Sequence, residues 1–110
     1  MNKTFLKLII LFSIILFPIF GKTSGGQWKQ YIYTDGLSSN YIFDVEKDDK
    51  LRIWVGTQNG ITLIDGRKII KYGVANGLPA ANIIKIISYK DEILAATSNQ
   101  GIYTLKNDMF

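Results

Sequence analysis

The chain repeats itself with a period near 41 residues, and no other feature restricts its fold as much. Asp35-Gly36-Leu37 returns as Asn76-Gly77-Leu78, and Tyr31 as Tyr72, both at an offset of 41. Asn40 returns as Asn82, Thr57 as Thr97 and Gly60-Ile61 as Gly101-Ile102, so every offset lies between 40 and 42. Short apolar runs rich in β-branched residues stand between these turns. A unit of about 40 residues holding several short strands has the period of a β-propeller blade. The expected fold is all-β: two antiparallel blades of a partial propeller, at about 35–75 and 76–110, after an N-terminal signal helix.

Strands are expected at Tyr41–Lys47, Leu51–Thr57, Ile61–Ile64 and Lys68–Tyr72, then at Ile83–Tyr89, Ile93–Thr97 and Ile102–Lys106. Strict alternation puts Tyr41, Phe43 and Val45 on one face, with Ile42, Asp44 and Glu46 on the other. Leu51–Thr57 is apolar on both faces, as suits a strand covered on both sides. Asn59-Gly60 is a strong hairpin signal. Residues 28–33 align by the period with the fourth strand of the first unit and are expected as an orphan closing strand. Phe110 aligns with Ile69, just inside a fourth strand of the second unit.

The same residues carry a family resemblance. Asp35-Gly36-Leu37-Ser38-Ser39-Asn40, then Ile42, Val45 and Asp48, then Ile53-Trp54-Val55-Gly56-Thr57-Gln58-Asn59-Gly60-Ile61, resemble the two-component regulator propeller repeat. Leu51 stands where that pattern has a turn glycine, and Leu94-Ala95-Ala96-Thr97 where it has Trp-Val-Gly-Thr. The resemblance covers about Gln27 to Leu105. It implies the extracytoplasmic sensor region of a hybrid histidine kinase, truncated to about two repeats and lacking the kinase. It also implies that Asp48 is a structural turn residue.

Residues 1–21 read as a signal peptide. Lys3 and Lys7 precede the apolar run Leu8–Phe20, and Gly21 offers a small residue for cleavage. Thirteen residues fall short of the roughly 20 that span a bilayer. The product is expected to be exported, periplasmic or extracellular. Membrane contact would come only through residues 5–20, if they stay uncleaved. Residues 22–27 form a flexible junction around Gly25-Gly26.

Composition narrows the chemistry. The chain has no cysteine and no histidine, which removes thiol catalysis, disulfides, Cys/His zinc sites and the usual general base. Two of the 13 basic residues lie in the leader, and the remaining 11 are scattered among 9 acidic ones, so no nucleic-acid stripe forms. Arg67, Lys68 and Lys71 are read as a solvated edge. Ser38 and Ser39 have no base placed to activate them. Asp44, Glu46, Asp48 and Asp49 could offer a calcium site, but no loop glycine stands at the required spacing, and they read as a solvated face. Trp54 is expected between blades rather than in a pocket. Trp28, Tyr31 and Tyr33 could stack on a sugar, with packing at a blade edge the simpler role.

The functional expectation is a non-catalytic sensor or partner-binding module related to two-component signalling. No catalytic residue, cofactor or metal is expected, and a glycan is an open candidate as ligand. Alternatives are a piece of a propeller enzyme such as a polysaccharide lyase, or a structural module adding blades to a partner. Uncovered blade faces around Ile53, Val55, Ile84 and Ile86 are expected to bind a protein partner or to self-associate.

Overall fold

A computed structural model describes residues 26–110. The signal segment 1–21 and the junction up to residue 25 lie outside the described residues. No helix among the described residues is long and apolar enough to cross a membrane.

Paired turns set the architecture. At each repeat start a 3-10 turn, Tyr33–Asp35 or Val74–Asn76, ends on a left-handed glycine, Gly36 (φ 118°) or Gly77 (φ 94°). Asp35 and Asn76 then bond backward to the amides of Ile32 and Gly73, at 2.9 and 3.0 Å. A short polar side chain can mimic a backbone turn in this way, and glycine alone accepts the positive φ without strain.

Strands β1 (Ile42–Lys47), β2 (Ile53–Thr57), β3 (Gly60–Asp65) and β4 (Lys68–Tyr72) form a four-stranded antiparallel sheet in sequence order. Strands β5 (Ile83–Tyr89), β6 (Glu92–Thr97) and β7 (Ile102–Thr104) form a second antiparallel sheet. An isolated bridge joins Lys106 to Met109. It is the counterpart, 41 residues on, of the Asp65–Lys68 pair that opens β4. The described residues are all-β, and their two meanders have the form of partial propeller blades.

Two details correct the strict alternation. The β1–β2 register shifts between Ile42 and Asp44, and the β5–β6 register shifts between Ile83 and Lys85. Phe43 and Ile84 are therefore the extra residues of matching bulges, and each bulge flips the faces around it. Ile42 and Val45 share one face of the first sheet, opposite Asp44 and Glu46. Between the matched pairs Lys47–Ile53 and Ser88–Ile93 the second sheet also has one residue fewer, which changes the offset from 41 to 40. Asn82 consequently matches Tyr41, not Asn40: Gln58 donates to the carbonyl of Tyr41 just as Ser98 does to that of Asn82.

Residues 28–32 form no strand, and Tyr33 enters the 3-10 turn. A strand needs a partner for its ladder, and no described strand edge takes this segment. Trp28 is fully exposed.

The sheets stack face to face. Trp54, Ile61, Leu63 and Tyr72 of the first meet Leu78, Ile83, Ile86, Ile93 and Ala95 of the second in one buried cluster. Gly56 lets the backbones close in. A Cβ there would lie 2.9 Å from the carbonyl oxygen of Ile83.

Candidate functional site

Trp54 is the centre of the buried cluster. Its ring stacks on Tyr72 at 5.9 Å, and Tyr72 meets Phe110 edge-on at 5.5 Å. Its indole N–H donates to Asp48 Oδ2 at 2.9 Å. Asp48 also accepts from the amides of Lys50 and Arg52 and from the Arg52 guanidinium at 2.7 Å. Burial alone would raise the Asp48 pKa. The bonds from Trp54 and Arg52, with the Arg52 charge, outweigh it and hold the carboxyl below its ordinary 3.8. Asp48 is thus a structural turn residue, as the resemblance implied.

Tyr72 moves the other way. Burial, helped by Asp108 and opposed by Arg52, pushes its phenol above 10.0.

Asp44 has a separate task that strand alternation did not disclose. Its Oδ2 accepts the amide of Ile86 at 2.7 Å, 42 residues away, and lies 3.6 Å from Lys85 Nζ. It pins one sheet to the other. Asp44 and Asp48 are therefore bound to different partners, and the described residues contain no group of three carboxylates that could hold a metal.

The remaining expected residues fall in separate places. Ser38 is buried, with its hydroxyl 2.9 Å from Thr62 Oγ1 and 3.2 Å from the Ile61 carbonyl, so it fastens a loop. Ser39 accepts from the Tyr41 amide and Asn40 from the Tyr33 amide. Together with Gln58 and Asn59 these residues line an open cleft of about 510 Å³ bearing the rings of Tyr33 and Tyr41. Tyr31 lines a different groove, and Trp28 lines neither of the two. Arg67 and Lys68 are exposed at the β3–β4 turn, and Lys71 Nζ sits 5.1 Å from the Tyr33 ring.

The second groove, of about 340 Å³, lies on the other face of the first sheet; Ile42 and Val45 are exposed there, but Val55, expected to be uncovered, is buried and Ile53 is half-buried. Ile42, Val45, Ile53, Val55 and Ile64 line it with Tyr31 and Leu37. This corrects the expectation for the second sheet. Ile86 is fully buried between the sheets, whereas Ile84, the bulge residue, is exposed as expected but does not share a face with Ile86. That sheet opens on its other side, where Ile87 and Ile102 are exposed.

No family model matches the chain, and no solved structure does. Over 58 residues, 53% of the chain, it is 34% identical to a protein of Formosa agariphila described as Histidine kinase P4. The match spans about 4% of that protein's length. The chain is similar to a small segment of a histidine kinase.

Proposed function

We propose that this chain is a non-catalytic sensor module of two-component signalling, built from blades of the two-component regulator propeller kind. It works by binding, outside the cytoplasm, through its open sheet face and its aromatic loop cleft. The observation that carries the reading is the repeated, stacked meander with apolar residues of the first sheet left exposed along β1, in a chain that resembles part of a histidine kinase. The polar groups and two tyrosines of the cleft suit a glycan, whose apolar faces stack on aromatic rings while its hydroxyls bond to amides and hydroxyls.

Gene order is a first test, since a kinase reading frame beside this one supports the sensor reading. The decisive test is biochemical. The purified protein is added to membranes bearing that kinase, and autophosphorylation is followed. A dose-dependent change supports the proposal. Unchanged autophosphorylation at every protein concentration overturns it.

A further inference from the structure

The chain's own internal interface says what should cover the open face of the first sheet. Each sheet has the same two sides. One carries Ile42, Val45, Ile53 and Val55 in the first sheet, and Ile83, Ile86, Ile93 and Ala95 in the second. In the second sheet this side is closed by the first: Ile86 is 0% exposed. In the first sheet it is open along β1, where Ile42 and Val45 are 41% and 56% exposed, while Val55 beside them is buried. Leu37 already sits on it as Leu78 sits at the closed interface.

The side that does the closing has three features. Asp44 accepts the Ile86 amide, Trp54 fills the centre, and Gly56 passes within contact of the Ile83 carbonyl. The corresponding outer side of the second sheet carries Lys85, Leu94 and Ala96 instead. Lysine cannot accept an amide hydrogen. Leucine leaves the tryptophan volume unfilled. The Ala96 methyl would meet a backbone carbonyl at the place where Gly56 has only hydrogen. The second sheet of a sister molecule is therefore a poor cover for the open face.

We propose that the open face of the first sheet is a docking site for another protein's blade, one presenting Asp, Trp and Gly at the positions of Asp44, Trp54 and Gly56. The carboxylate receives the Val45 amide, and the glycine passes the Ile42 carbonyl. This deepens the binding role proposed above and rests on reading the two sheets as stacked blades. It replaces undirected self-association with a partner of defined chemistry.

The test builds that partner face onto the chain itself. The triple variant Lys85→Asn, Leu94→Trp, Ala96→Gly of the full-length protein is compared with the unmodified protein by sedimentation velocity; asparagine supplies an acceptor without setting a second carboxylate beside Asp44. Circular dichroism checks that both are folded. The variant should assemble head to tail at concentrations at least tenfold lower than the unmodified chain. Adding Val45→Asp, which puts an unpaired carboxylate into the apolar contact, should abolish the gain. A folded triple variant that associates no more tightly than the unmodified protein overturns the proposal, as does a gain that survives Val45→Asp. If the triple variant does not fold, Ala96→Gly alone reads the same steric element. It should strengthen association several-fold, and no change overturns the proposal. Association as expected with no effect on kinase autophosphorylation keeps the docking site and rejects the signalling role. The reverse outcome rejects the docking site alone.

Discussion

Asp48 and Trp54 are joined by one hydrogen bond, carboxylate oxygen to indole nitrogen, at 2.9 Å. The bond ties the β1–β2 turn to the centre of the core. With the Lys50 amide, the Arg52 amide and the Arg52 guanidinium also on Asp48, one carboxylate holds four donors. Asp48→Ala leaves these donors without their acceptor, the buried indole N–H among them. A loss of about 3 kcal/mol is expected by urea denaturation, since each orphaned buried donor costs about 1–3 kcal/mol.

The same carboxyl sets an acid limit. Its folded pKa lies below the unfolded value, so its contribution is present above about 3.8 and is lost as pH falls through the lower folded value. Thermal melts should lose stability on acidification below pH 3.8, and Asp48→Asn should flatten that loss. Tyr72 gives the opposite sign. Its folded pKa is raised, so its contribution is present below 10.0 and lost as pH rises through the higher folded value.

Leu51 holds φ at +61° and is exposed, so it bears backbone strain without any packing return. The residue's place in the turn explains why the resembling repeat has glycine there. Leu51→Gly should raise stability by about 0.5 kcal/mol, because relief of the left-handed strain exceeds the entropy cost of glycine. Leu51→Val, β-branched, should lower it by about 1 kcal/mol. Matched denaturation curves decide between these signs.

The period and turn chemistry were plain in the residues, because glycine and short polar side chains have few other uses at such spacing. Lys68–Tyr72 and Ile83–Tyr89 form at the expected bounds. The bulges were not legible. Phe43 and Ile84 are as strand-like as their neighbours, and a single extra residue leaves no compositional trace. Strict alternation therefore misassigned the faces of β1 and β5, and with them the open side of the second sheet. Trp28–Tyr33 aligns by the period with a strand, but strand formation depends on a partner edge that the period does not report. The Asp44 bond to Ile86 spans 42 residues and depends on how the sheets dock.

Gly56 tests the closeness of that docking. A methyl group at this position would press on the Ile83 carbonyl, a backbone atom that cannot rotate away. Gly56→Ala should destabilise the chain by about 2 kcal/mol, within the range for overpacked interiors.

Asp44 tests its polar pin. Asp44→Ala should cost about 1.5 kcal/mol, as for a hydrogen bond to a charged group. Hydrogen exchange should accelerate at the Ile86 amide more than at the amides of β3. Equal acceleration across both sheets would mean that Asp44 acts on the whole fold and not on the contact between them.

The central claim is that the two meanders stack with Trp54 sealed between them, and the chain has only one other tryptophan, the fully exposed Trp28. Trp28→Phe leaves Trp54 as the sole indole. Its emission should be blue-shifted relative to free tryptophan and almost immune to acrylamide, until urea melts the sheets and both properties change in one transition. Solvent-like emission that acrylamide quenches freely, in a protein whose circular dichroism still shows strands, would contradict the stacked arrangement.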